Sequence, residues 1–96
     1  MSRWNEVGKV ATTVRTTDGT TVITYHSTEV VTFNDKEIIL NTGGWFTPTT
    51  KVRMNQASNQ YDLGYGVYQE KGKWIVDYKG QHIPFVGNTI TLKRGE

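Results

Sequence analysis

Apolar and polar residues alternate along most of this 96-residue chain. KVATTVRT (9–16) alternates, TDGT (17–20) interrupts the pattern, and TTVITYHSTEVVTF (20–33) resumes it. A period of two marks a strand with one buried face. Asp18-Gly19 between two such runs predicts a hairpin, because a type I′ turn needs positive φ at both central residues. In the long return strand Ile23, Tyr25, Val31 and Phe33 fall on one side. Val22, Thr24, His26, Thr28, Val30 and Thr32 fall on the other. Its middle, HSTE, is too polar for two buried faces, so a bulge or bend is expected near Ser27. Asn34-Asp35-Lys36 then predicts a turn and EIIL (37–40) a third strand.

The period changes after Gly43-Gly44. Thr47 suits an N-cap and Pro48 the first helical position, which predicts a helix over 48–61 ending near Gly64. Met54, Ala57 and Tyr61 make a thin apolar stripe at i, i+3, i+7 spacing. The helix is expected to pack along one narrow edge, with Lys51, Asn55 and Asn59 towards solvent. From Tyr65 the strands return as YGVYQE, KWIVDY, QHIPF and TITLK. Lys71-Gly72, Lys79-Gly80 and Gly87-Asn88 separate them at about eight-residue spacing, the signature of an antiparallel meander. Pro84 assigns its strand to an edge or a bulge. The order βββ-α-ββββ predicts a small α+β domain over 1–96, with one helix on a curved antiparallel sheet that approaches a partly open barrel. Residues 1–8 read as a loose arm or a first edge anchored by Trp4.

Composition supports that class and narrows the chemistry little. Only 35% of residues are apolar, so the aromatic 11% must supply much of the buried area. No cysteine is present, which excludes a disulfide framework and a thiolate metal site and suits a reducing cytoplasm. With two histidines besides, the chain cannot build the usual structural zinc set, and no cofactor motif is present. No apolar run is long enough for a membrane span, and MSRWNEVGK has no signal-peptide core. A net charge of +2 is too small to announce a nucleic-acid binder by itself.

The start of the helix, GGWFTPTTKVRMNQ (43–56), carries the sharpest chemical signal. A helix N-terminus favours acids, yet this one offers threonines, Lys51 and Arg53 and no acid. Gly43 and Gly44 would let a ligand approach the main chain, and the hydroxyls of Thr47, Thr49 and Thr50 add short donors. Arg53 can grip a phosphate with two parallel hydrogen bonds, and Trp45 can stack on a base. Asn55, His26 and Thr28 complete the candidate set, with His26 and Thr28 on one face if their strand is regular. Lys51 and Arg53 point about 200° apart on an ideal helix, so at most one meets a single ligand unless a second subunit contributes. The same residues also make an ordinary cap, with Trp45 and Phe46 in the core. It is not a P-loop, because GxxxxGK[ST] is absent. His26-Ser27-Thr28 reads HxT, but His82-Ile83-Pro84 lacks the hydroxyl a paired motif would need, and no catalytic residues are assigned.

YHSTEVVTF, LNTGGWFTPTTKVRMNQ and YGVYQEKGKWIVDYKG together resemble short uncharacterised proteins of tailed bacteriophages, over roughly residues 20–85. The resemblance implies a phage origin and action on host machinery or host defence in the host cytoplasm, one route being sequestration of nucleotide signals. The expected function is therefore a non-enzymatic, homo-oligomeric binder of a nucleotide-like, phosphate-bearing small molecule. One alternative is single-stranded nucleic-acid binding by Tyr65, Tyr68, Trp74, Tyr78 and Phe85 with Lys71, Lys73 and Lys79. Against it, a domain this small needs most of its rings inside. A second alternative is a protein-interaction module that inhibits a host enzyme.

Overall fold

The structure is a computed structural model that describes residues 12–26, 28–44, 46–85 and 87–94. Among the described residues eight strands form two antiparallel sheets, accompanied by one helix. In chain order they are β1 (Thr12–Thr17), β2 (Thr20–Tyr25), β3 (Thr28–Phe33), β4 (Glu37–Asn41), α1 (Pro48–Gln60), β5 (Tyr65–Glu70), β6 (Lys73–Tyr78), β7 (Gln81–Pro84) and β8 (Thr89–Lys93). The first sheet runs β1-β2-β3-β4-β8 and the second β5-β6-β7. The expected α+β class holds, with the strands divided between two open sheets.

Local chemistry sets most of this. Asp18-Gly19, Lys71-Gly72 and Lys79-Gly80 all have positive φ at both residues and close two-residue hairpins, as type I′ turns do. Thr47 caps α1, its Oγ1 accepting from the Thr50 amide at 3.3 Å, and Pro48 opens the first turn. Met54 and Ala57 are fully buried, and Tyr61 meets Phe33 with ring centres 5.1 Å apart. The inward row Ile23, Val31 and Leu40 is continuous across the cross-strand register of β2, β3 and β4.

Two expectations need correction. The long strand over 20–33 is a hairpin, because the chain reverses at His26 (φ 57) and Tyr25 pairs with Thr28. Among the described residues four strands therefore precede the helix, and the arm or first edge expected over residues 1–8 lies outside them. The bulge or bend expected near Ser27 takes the form of the turn at His26, and a separate bulge lies further on: Ile23 pairs with Val31 while Thr24 pairs with Glu29, which leaves Val30 as the extra residue. Both Val30 and Val31 are consequently buried, where strict alternation would expose one. The C-terminal meander also stops at β7. Pro84 has no N–H to extend the sheet, and β8 instead pairs with β4, Leu92 opposite Ile38.

The outer edge of β5 is met by side chains of α1. The Asn55 amide donates to the Val67 carbonyl (2.9 Å) and accepts from the Val67 N–H (2.7 Å). Ser58 Oγ donates to the Tyr65 carbonyl (2.6 Å) and accepts from its N–H (3.0 Å). Asn55, expected at the solvent, is thus a bridge between helix and sheet, and only Asn59 of the three is exposed.

Candidate functional site

A cavity of about 480 Å³ opens where the β2–β3 hairpin tip, the turn after β4 and the start of α1 converge. Tyr25, His26, Thr28, Val30, Thr42, Thr47 and Thr50 line it. The β2–β3 register places Tyr25 opposite Thr28, so both reach the same face. His26 stands at the tip, its ring centre 4.4 Å from that of Tyr25. Gly43 (φ 62) packs so tightly on the hairpin that a Cβ there would lie 2.7 Å from both Cγ2 and Oγ1 of Thr28. That contact fixes the spacing between two walls of the cavity.

The hydroxyls differ in their freedom. Thr47 and Thr50 bond to each other at 3.0 Å. Thr42 Oγ1 lies 3.5 Å from Asn88 Oδ1 and accepts from the Gly44 N–H at 3.1 Å. Neither the Thr28 hydroxyl nor the exposed His26 ring has a hydrogen-bond partner among the described residues.

The structure thus brings together His26, Thr28, Thr47 and Thr50 from the sequence-predicted set, with Gly43 behind Thr28. Other members lie elsewhere. The Gly43 N–H donates to Asn41 Oδ1 at 2.9 Å and the Gly44 N–H to Thr42, so both amides are spent within the turn. Thr49 is exposed outside the cavity. Lys51 turns to the far side of the helix, with Nζ 3.2 Å from Gln69 Oε1 and 5.6 Å from the Trp74 ring centre. Asn55 is committed to Val67. Trp45, like Trp4 and Ser27, lies outside the described residues. Arg53 is buried behind the cavity wall, its guanidinium carbon 5.4 Å from the Tyr25 ring centre. It donates to Thr12 Oγ1 (3.0 Å) and Gln56 Oε1 (3.2 Å), and no carboxylate pairs with it among the described residues.

Tyr25, Val30 and Thr42 escaped the sequence reading. Tyr25 and Thr28 had been placed on opposite strand faces, and only the reversal at His26 unites them.

The aromatic hairpins are mostly interior. Tyr65, Trp74, Tyr78 and Phe85 are buried, and Tyr68 is half-buried. The Tyr68 hydroxyl lies 3.1 Å from His82 Nδ1, which lies 3.5 Å from an Asp77 carboxylate oxygen. Loss of hydration, then the carboxylates of Glu70 and Asp77, raise the Tyr68 hydroxyl above its ordinary pKa. Among the described residues no group of three or more His, Asp or Glu side chains converges to hold a metal, and no helix is long and apolar enough to cross a membrane.

Comparison with known proteins adds lineage. The family model described as Kyanoviridae Gp96 protein matches residues 1–91, from ahead of β1 into β8. The chain belongs to the Kyanoviridae Gp96 family. It is therefore a phage protein, as the resemblance of its three motifs implied. No curated protein and no solved structure matches it.

Proposed function

We propose that this phage protein binds a phosphate-bearing small molecule, a nucleotide or cyclic nucleotide signal, and holds it without turning it over. The observation that carries this reading is the lining of the cavity beside α1. Among the described residues its polar groups are an imidazole and the hydroxyls of Tyr25, Thr28, Thr42, Thr47 and Thr50, with no carboxylate. An anion entering there meets donors and no like charge. Arg53 reinforces this from behind: it is 9% exposed, and its hydrogen bonds go to neutral oxygens. With no acid beside it among the described residues, this buried cation leaves a field that a nearby phosphate would relieve. The rings of Tyr25 and His26 offer a base an aromatic surface. The volume falls within the roughly 300–1,000 Å³ of small-molecule sites.

Such a binder acts by depletion, which in an infected cell means sequestering a host nucleotide signal in the cytoplasm. A homo-oligomer belongs to the same reading, since a second copy would supply the charge that Lys51, facing away, does not.

Calorimetric titration with nucleotides and their matching nucleosides tests it. Thr28→Val keeps the side-chain shape and removes the hydroxyl, and His26→Asn keeps a residue tolerant of positive φ. A nucleotide is expected to bind and its nucleoside to bind far more weakly. Each substitution should weaken affinity about tenfold, the worth of one hydrogen bond to a charged group. Absence of binding by every nucleotide class, or unchanged affinity in both variants, refutes the proposal.

A further inference from the structure

A second depression lies on the opposite side of the first turn of α1. Its volume is about 540 Å³, and Phe46, Trp74, Phe85, Pro84, Gln69 and Lys73 line it around the Gly72 turn. Phe46 is 46% exposed. It stands edge-to-face on Trp74 (centres 5.1 Å apart, 83°) and on Phe85 (6.3 Å, 83°). Trp74 and Phe85 are themselves buried and meet at 89°. The core therefore supplies a rigid base for a ring that remains half in water. Two cations flank it. Lys73 is on the wall, and Lys51 Nζ lies over Trp74 beside Gln69. Among the described residues no carboxylate lines the depression; Glu70 pairs with Lys73 in the β5–β6 register and so stands beside it on the same face.

We infer that this groove holds a single strand of nucleic acid, with a base stacked on Phe46 and the adjoining phosphates against Lys51 and Lys73. Exposed aromatic rings flanked by cations bind single strands with little regard for sequence, because every base has a π-face. The Gln69 amide adds a donor and an acceptor at the base edge. An acidic peptide is the competing occupant. An extended peptide would seek free strand edges, and the neighbouring edges are partly taken up. Asn55 and Ser58 occupy that of β5, and Pro84 removes an N–H from β7. The inference goes beyond the cavity at His26 and Thr28 and does not depend on it.

Fluorescence anisotropy with a labelled oligothymidylate tests the groove at low and raised salt. The wild-type chain is expected to bind at low salt. Phe46→Ala should weaken binding about tenfold or more, and Phe46→Trp should retain or strengthen it, which separates lost stacking from a disturbed fold. Lys73→Ala should lower the slope of log affinity against log salt by about 0.7, one phosphate contact on a single strand. Val14→Ala, exposed on β1 and outside both cavities, should leave oligonucleotide affinity unchanged. No binding at low salt, or Phe46→Ala binding like wild type, overturns the inference. So does displacement by poly-glutamate as effective as by unlabelled oligothymidylate, which would assign the surface to an acidic peptide.

Discussion

Tyr65 ties the burial of the core to a measurable dependence of stability on pH. Its side chain is 6% exposed, and its hydroxyl donates to the Met54 carbonyl at 2.6 Å. Burial pushes its pKa far above the ordinary value near 10. The folded protein thus keeps a proton that the unfolded chain releases. The contribution of this group is complete below about pH 10 and is lost as pH rises towards the folded-state value. The loss runs at about 1.4 kcal/mol per pH unit once the unfolded tyrosine has ionised. Tyr65→Phe removes that slope. At neutral pH the variant should be less stable by about 1 kcal/mol, the net worth of one hydrogen bond. The Met54 carbonyl, inside α1, keeps its helical N–H partner in the variant. The two stabilities should therefore cross near pH 11, roughly where the ionisation loss equals the hydrogen bond. Urea unfolding of both proteins at a series of pH values measures this, and titrations common to both cancel in the difference. A difference that stays constant from about pH 8 to well above pH 10 would refute the reasoning, because Tyr65 would then ionise alike in both states.

Three further outcomes are expected. Asn55→Ala removes two hydrogen bonds to Val67, and about 2 kcal/mol of stability should go with them, lowering Tm by roughly 10 °C in a thermal melt. Gly43→Ala sets a Cβ against Thr28 at positive φ and should cost about 1–3 kcal/mol by urea unfolding; adding Thr28→Ala should recover the steric part and leave the backbone part. Lys93→Ala breaks an ion pair to Glu37 in which the lysine is 78% exposed, and its Tm should stay within about 2–4 °C of wild type.

The legibility of this fold in its sequence depended on the kind of turn. Asp18-Gly19, Lys71-Gly72 and Lys79-Gly80 advertise their hairpins, because glycine at the second position is the residue that positive φ favours. The reversal at His26 has no glycine to mark it, and the polar HSTE stretch reads as a bulge or bend within one strand over 20–33. That one turn also decides the candidate site, since it sets Tyr25 against Thr28. The helix was plain from Thr47, Pro48 and the Met54–Ala57–Tyr61 stripe. The destinations of its polar side chains were not. Lys51, Arg53 and Asn55 are all sensible solvent or ligand residues on a helical wheel. Gln56, one turn on from Arg53, is local, but the other partners, Gln69, Thr12 and Val67, are tertiary neighbours that no local pattern specifies. The place of β8 was hidden for the same reason: a regular spacing of turns says nothing about which sheet a strand joins.

The bonds from Asn55 and Ser58 to β5 make α1 a counterfeit neighbour strand. Two short side chains meet the N–H and C=O groups at Tyr65 and Val67 that a real strand would take up. A helix can swing away as one unit while the hairpin behind it stays paired, so a brief detachment of α1 uncovers a ready template for another chain. Loosening of the helix would therefore add one more open edge, at β5, to those that β1, β7 and β8 already present among the described residues. What keeps that edge closed is the amide and the hydroxyl together with the buried Met54 and Ala57 beneath them.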